Sequence, residues 1–166
     1  MSKEVYLTKG KVAVVDDEDF PLVSKFKWYA FKAGYVWYAA RKERGKSIGR
    51  KCILMHRFLL ALPPALHPQV DHRNRDGLDN QRHNLRLSNQ SQNRANSVIL
   101  VRKSSAYRGV TWDRVKKQWK AQIQKNRVHH NLGWFASEIE AAGVFDVAAK
   151  DLHGDFAVLN FRGGKK

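Results

Sequence analysis

Residues 70–97, VDHRNRDGLDNQRHNLRLSNQSQNRANS, are unusually polar for a folded segment. An acidic residue directly precedes a histidine, five asparagines occur up to Asn93, and a sixth follows at Asn96, with few apolar side chains between them. Two interpretations fit this composition. The segment is either a long solvated loop or a small site that needs oxygen and imidazole ligands.

The residue order in this segment predicts a strand, a turn, a second strand and a helix. QVDHRN at 69–74 is typical of a short strand, and RDGLDN is typical of a turn because Asp-Gly favours positive φ. NLRLSN at 84–89 begins extended. SNQSQNRANS is predicted to form a polar helix with Ser88 or Asn89 as its N-cap.

Asp71 and His72 have side chains suited to a hydrolytic site. A carboxylate is a hard oxygen ligand for Mg²⁺, and an imidazole with an ordinary pKa of ~6.5 can take a proton from water at neutral pH. Adjacent strand residues point to opposite faces, but both can serve one site near the backbone or a bulge. The chemistry indicated is phosphodiester hydrolysis in which His72 activates a water. The same residue types also occur together on turn-rich surfaces.

Residues 1–62 indicate short strands and one ambiguous apolar run. KWYAFKAGYVWYAARK predicts two aromatic strands around Ala33-Gly34. ILMHRFLLAL at 53–62 is too short to be assigned as strand or helix, and Pro63-Pro64 ends it. The aromatic side chains of this region can form a small core or stack on bases. They are Trp28, Tyr29, Tyr35, Trp37 and Tyr38.

The C-terminal part predicts three strands followed by a helix. YRGVTW, QWKAQIQ and VHHNLGWF are strand-like, and alternation places Trp119, Ala121 and Ile123 on a core face. SEIEAAGVFDVAAKDLHG is predicted to form an amphipathic helix. Ser137 and Glu140 provide a capping box for it. Its apolar stripe is predicted at Ile139, Ala142, Val144–Phe145 and Ala148–Ala149, and its end at Gly154.

Composition favours a nucleic-acid partner. The chain has 166 residues with 31 Lys and Arg against 15 Asp and Glu, a net charge of +16. Residues 1–97 carry +9 and residues 98–166 carry +7, so two basic surfaces can face one polyanion. The single cysteine, Cys52, excludes a disulfide framework and a cysteine-rich zinc site. With neither a signal peptide nor a membrane span in the sequence, a cytoplasmic location is expected.

HRFLLAL, VDHRNRDGLDNQRHNLR and QNRAN together resemble the HNH nuclease module of phage-type homing endonucleases, and LTKGKVAVVDDEDFPLVSKFKW resembles the region before it. The resemblance implies that Asp71 and Asn93 bind one divalent metal ion, that His72 is the general base, and that Asn84 orients it. Asn96 is the reserve ligand. Mg²⁺ is expected from ligand type and availability, and Mn²⁺ is the alternative.

Other polar residues of the module have less defined roles. Arg86 and Arg94 are candidate phosphate contacts, although a solvated face is an equal alternative. The roles of His56 and His83 stay open between structure and phosphate contact, and Asn80 is expected to be structural.

YRGV, WKAQI, LGWF, the alanine-rich helix and LNF resemble the APETALA-type domain of plant ethylene-response factors, over about residues 104–161. The family lays its three-stranded sheet in the DNA major groove, which implies a DNA contact for Arg108. Alternation puts Lys120, Gln122 and Gln124 on the DNA-facing side. Several positions differ from the family pattern; for example, TWDRVKK stands where the plant domains have an arginine-rich run. The DNA sequence that the plant proteins recognise is therefore not implied for this chain.

The predicted fold class is α+β. A β-rich N-terminal region (1–52) leads into a ββα-metal HNH module (53–97), a linker (98–103), an APETALA-type domain of three antiparallel strands on one helix (104–161), and a basic tail (162–166). The function predicted is metal-dependent cleavage of double-stranded DNA by a monomer or dimer. The resemblance implies a phage gene product acting in a bacterial cell. The alternatives are a non-catalytic transcriptional regulator and an RNA-directed protein.

Overall fold

The computed structural model describes residues 1–44, 50–62, 68–97 and 104–161, and the chain divides into two compact units, 1–88 and 89–166. The predicted linker and basic tail lie outside the described residues, as does Pro63-Pro64. Helices are interspersed among small antiparallel sheets along the chain, which is a mixed, β-rich architecture.

Within its described residues, the first unit contains three small antiparallel sheets and two short α-helices. The elements are β1 (Ser2–Tyr6), β2 (Val12–Asp16), α1 (Phe20–Val23), β3 (Tyr29–Ala33), β4 (Val36–Arg44), β5 (Arg50–Leu54), α2 (Met55–Leu59), β6 (Gln69–His72) and β7 (Leu85–Ser88). β1 pairs with β2, β4 lies between β3 and β5, and β6 pairs with β7. The two aromatic strands are confirmed, and the ambiguous run at 53–62 is the end of β5 followed by α2.

The core of this unit packs β2, β4 and α2 together. Its buried members are Ala13, Val15, Val23, Trp28, Ala39, Met55 and Leu59. Trp28 is a core residue, and its indole N–H donates to the carbonyl of Val23 at 2.9 Å. Tyr35, in contrast, is 73% exposed, so the aromatic residues do not form a single cluster.

The turn between β6 and β7 is anchored on β2. Val14 N–H donates to the Leu78 carbonyl at 2.9 Å, and Asn80 N–H donates to the Val14 carbonyl at 2.7 Å. The expectation of positive φ at Asp-Gly is wrong, since the left-handed residue of this turn is Arg75, with φ of 69°. Gly77 is needed for close approach instead, because a Cβ there would lie 2.4 Å from the Trp37 carbonyl oxygen.

The second unit contains α3 (Gln90–Asn96), β8 (Val110–Asp113), β9 (Gln118–Lys125), β10 (Val128–Phe135) and α4 (Glu138–His153). The strands are antiparallel with β9 in the centre, as predicted. Asn89 is the N-cap of α3, and it forms a capping box with Gln92. This helix therefore begins where the sequence predicts.

α4 packs against the sheet through small and aromatic side chains. Ser137 caps its start by accepting from Glu140 N–H, and Gly154 ends it with φ of 54°. The predicted stripe is wrong at Ile139, which is 62% exposed, because the buried face begins at Ala141 instead. No helix among the residues described is long and apolar enough to cross a membrane.

Candidate functional site

Two aromatic rings lie against the imidazole of His72 at the end of β6. The ring of His56, from α2, lies 5.0 Å from it between centroids in an edge-on arrangement. The ring of Tyr38, from β4, lies 5.8 Å from each histidine. Both histidines are 5% exposed. Three different elements thus fix the plane of the His72 ring.

Burial makes His72 a neutral imidazole at physiological pH. Burial lowers the pKa of His72, while Asp71, Asn80, Asp76 and Asp79 oppose the shift without reversing it. Neutral imidazole is the form that can accept a proton.

His56 is a second neutral imidazole beside the first. Burial lowers the pKa of His56 to about 3, and repulsion from Arg57, and from His72 once that ring is protonated, acts in the same direction. Its buried Nδ1 has no hydrogen-bond partner among the described residues. The apolar residues that flank it in LMHRFLL were the sequence signal for its burial.

Asn84, predicted to orient His72, forms side-chain hydrogen bonds across the turn that follows His72. Its Oδ1 accepts from Asn74 N–H at 3.0 Å, and its Nδ2 donates to Asn74 Oδ1 at 3.0 Å and to the Asp79 carbonyl at 2.8 Å. The Asn84 carbonyl also accepts from Arg73 N–H, next to His72. This buried carboxamide therefore holds the backbone that carries His72.

Asn80 is a residue whose contact with His72 the sequence did not predict. Its carboxamide lies near enough to favour the protonated form of the imidazole. It is fully buried, and its Nδ2 donates to the Leu78 carbonyl at 2.9 Å. Its Oδ1 makes no hydrogen bond of good geometry within the described part of the chain.

Asp71 is a buried carboxylate paired with Arg86. Arg86 Nε and Nη2 lie 2.8 and 2.7 Å from the same oxygen, Oδ2. Arg86, predicted to contact phosphate, is therefore an ion-pair partner of the predicted metal ligand. A carboxylate is a suitable ligand for Mg²⁺ or Mn²⁺, so the donor chemistry fits the predicted ion.

The second predicted ligand, Asn93, lies on α3 in the second unit, as do Asn96 and Arg94. Asn96 is buried and Asn93 is half-buried. Asp71, His72 and Asn84 are brought together within the first unit.

A separate acidic cluster of Asp16, Glu18 and Asp19 also has metal-ligand spacing. The Arg82 guanidinium pairs with Asp19 through bonds of 2.7 and 2.8 Å, and Arg82 N–H donates to Asp16 at 2.7 Å. The cluster therefore anchors the turn between β6 and β7.

In the second unit, β9 presents Lys120, Gln122 and Gln124 on the face opposite Ala121 and Ile123. The latter two are buried against α4, whereas the predicted DNA-facing residues are partly exposed. Gln124 bonds to His129 across the strand pair at 2.8 Å.

Trp119 and Trp112 pair on the helix side of the sheet, with ring centroids 5.0 Å apart. Trp119 packs against the core, as expected, while Trp112 remains 38% exposed.

Arg108 is engaged with α3. Its guanidinium donates to the carbonyls of Ser97 at 2.7 Å and Arg94 at 3.2 Å. Its backbone is held by the Asn160 carboxamide, which accepts from Arg108 N–H at 2.6 Å and donates to its carbonyl at 3.1 Å. The LNF segment thus braces the YRGV turn, a role that the sequence alone did not indicate.

Comparison with known proteins places these features in a family. The chain is 33% identical over 159 residues to an uncharacterised HNH endonuclease of Acanthamoeba polyphaga mimivirus, covering 92% of this chain and 76% of that protein. Two AP2-like ethylene-responsive transcription factors of Arabidopsis thaliana are each 43% identical over 72 residues, which is 41% of this chain and 14% or 12% of theirs. No family model matches, and no solved structure matches. The long relative shows that the chain belongs to the HNH endonuclease family.

Proposed function

We propose that the protein is a metal-dependent, homing-type DNA endonuclease. His72 is the general base, and Asp71 and Asn93 hold one divalent ion, Mg²⁺ or Mn²⁺. The observation that carries the proposal is a buried, neutral imidazole held by three elements directly beside a buried carboxylate. Burial of such groups is costly, and perturbed titratable groups concentrate at functional sites.

His72 takes the proton of a water whose oxygen attacks the scissile phosphorus, and the bond from phosphorus to the leaving ester oxygen breaks. That oxygen takes a proton from solvent. Asn84 maintains the turn after His72, while Tyr38 and His56 hold the ring plane. The divalent ion, when bound, stabilises the negative charge that develops on the phosphate and the leaving oxygen.

The second unit supplies DNA affinity and site preference. Lys120, Gln122 and Gln124 lie on the sheet face away from α4, and a strand pair fits the major groove of B-form DNA. The corresponding groove of A-form RNA is too narrow to be read, so double-stranded DNA is the favoured substrate. Two linked modules gain affinity through effective concentration.

A non-catalytic DNA-binding regulator is the alternative, and the similarity of the C-terminal part to two plant transcription factors favours it. A regulator needs the sheet face but has no use for a neutral histidine beside a buried Asp71. Catalysis separates the two functions.

The test is nicking of supercoiled plasmid with Mg²⁺, with EDTA, and by His72→Ala. His72→Ala should lower the rate by about 10²–10⁴-fold, the usual contribution of a general base. His83→Ala is the matched control, because His83 is exposed in the same segment. Tight duplex binding without cleavage by any of these proteins would support the regulator.

A further inference from the structure

A cluster of positive charge surrounds one indole on the first unit, away from the candidate site. The ammonium groups of Lys9, Lys11 and Lys32 lie 5.2, 5.5 and 5.5 Å from the centroid of the half-buried Trp37 ring. We call these four residues the Trp37 patch. Significant cation–π pairs occur roughly once per 70–80 residues, so three on one ring are a marked concentration.

The backbone structure around the patch, and not only the length of the lysine side chains, brings the ammonium groups to Trp37. Lys32 lies directly opposite Trp37 in the β3–β4 pairing, so both side chains project from the same face. The turn that carries Lys9 is tied to β3, because Thr8 Oγ1 accepts from Ala30 N–H at 3.1 Å. Leu7 N–H closes the same turn by donating to the Lys11 carbonyl at 2.8 Å.

Lys9 itself adopts a left-handed conformation, with φ of 61°. This conformation is unfavourable for a non-glycine residue, and such strain concentrates at functional positions. The neighbouring Gly10 also has positive φ, so the chain makes a tight double left-handed turn that directs both lysines to one ring.

None of the three lysines forms an ion pair with a carboxylate of the described residues. Three like charges around one ring repel each other, and a bound polyanion would relieve that repulsion. The indole attracts each ammonium group through the ring quadrupole and so favours the clustered arrangement.

We propose that the Trp37 patch binds the phosphate backbone of duplex DNA that flanks the cleavage site. The partner rests on the proposed function. Trp37 and Tyr38 are consecutive in β4, so their side chains project to opposite sides of the strand. Since Tyr38 contacts His72, the patch faces away from the scissile phosphate and contacts the duplex elsewhere.

The test is the salt dependence of duplex binding by the full-length protein in EDTA, measured by fluorescence anisotropy. The triple variant Lys9→Gln, Lys11→Gln, Lys32→Gln should lower affinity about tenfold or more. It should reduce the slope of log K against log salt by about 2–3, since each phosphate contact contributes ~0.9.

A control triple removes the same charge from elsewhere in this unit, by Lys3→Gln, Lys25→Gln and Lys27→Gln, all at exposed positions. Its slope should change by less than about one. Equal slopes for the two triples would overturn the proposal, and so would a larger loss on single-stranded RNA than on duplex DNA.

Lys32→Gln alone provides a second measurement if the triple variant unfolds, with an expected slope change of about 0.9. An unchanged slope in this folded single variant would also overturn the proposal. Because binding is measured without metal, the result is independent of cleavage. Absence of nicking would count against the proposed nuclease while leaving the slope comparison intact.

Discussion

The two units carry polar residues in opposite ways. In the first, Asp71, His72 and Asn84 are each at most 5% exposed, and they are held by neighbours from several elements. In the second, Lys120 and Gln122 lie on a partly exposed sheet face. Buried groups with perturbed pKa values suit chemistry, whereas a solvated polar face suits reversible recognition. Substitutions of these buried residues should therefore affect stability and activity together, and those on the sheet face should affect binding alone.

The largest expected effect comes from breaking the buried ion pair. Arg86→Ala leaves the Asp71 carboxylate buried without that countercharge, which should lower the free energy of unfolding by about 3–5 kcal/mol. Urea denaturation measures the loss, and Mg²⁺ should reduce it if Asp71 binds the ion.

The double variant Asp71→Leu, Arg86→Met is the matched control for that prediction. It should recover most of the stability, since apolar residues of similar size replace a buried pair well, while remaining inactive. A stability of Arg86→Ala within about 0.5 kcal/mol of the unmutated protein would show that the pair is not structural.

Two glycine-to-alanine variants, one in each unit, compare the two units directly. Gly77→Ala places a Cβ within 2.4 Å of backbone and 2.6 Å of the Tyr38 ring, so it should cost about 1–3 kcal/mol and reduce nicking. Gly143→Ala, within α4, meets no atom within 4 Å and should gain about 0.5–1 kcal/mol. Thermal denaturation of both variants measures this difference. An unchanged stability of Gly77→Ala would show that the turn does not pack closely against β4.

His56 should make the first unit sensitive to acid. Its pKa is about 3 in the folded protein against 6.5 unfolded, so above pH 6.5 it is neutral in both states. Between pH 6.5 and 3 only the unfolded chain binds the proton, and stability should fall by roughly 1.4 kcal/mol per pH unit from this residue.

Urea titrations of the unmutated protein and His56→Gln between pH 5 and 8 measure this dependence. The free energy of unfolding of His56→Gln should fall less steeply below pH 6.5 than that of the unmutated protein, because the variant lacks the contribution of His56. Parallel curves for the two proteins would contradict a buried, neutral His56.

The smallest effects on protein stability are expected on the sheet face. Lys120→Ala should weaken binding to all duplexes alike and lower the salt slope by about one. Gln122→Ala should cost about 1–3 kcal/mol on a preferred site and less elsewhere. Competition binding with selected and random duplexes measures both effects, and neither variant should alter protein stability by more than about 0.5 kcal/mol.

Sequence reasoning worked well where the pattern is local. Period-two alternation placed Trp119, Ala121 and Ile123 on the helix side of β9, and the cap predicted at Ser88 or Asn89 located the start of α3 to within one residue. The HNH endonuclease family was also recognisable from short motifs, and the long viral relative confirms it.

The rest depends on contacts between residues far apart in the chain. Nothing near Arg86 indicates that its partner is Asp71, fifteen positions away, until the β6–β7 register is known. The placement of Tyr38 and His56 around His72 likewise requires three elements to meet. The assignment of Asn93 as second ligand stays a prediction.

Imidazole rescue of His72→Ala tests the central claim most directly. The variant leaves a ring-sized space beside Tyr38 and His56, in which added imidazole can accept the proton of the attacking water. We predict that millimolar imidazole raises Mg²⁺-dependent nicking by His72→Ala at least about tenfold and leaves Asn84→Ala unchanged. Full nicking by His72→Ala without imidazole would contradict the account, because His72 would then not be the base.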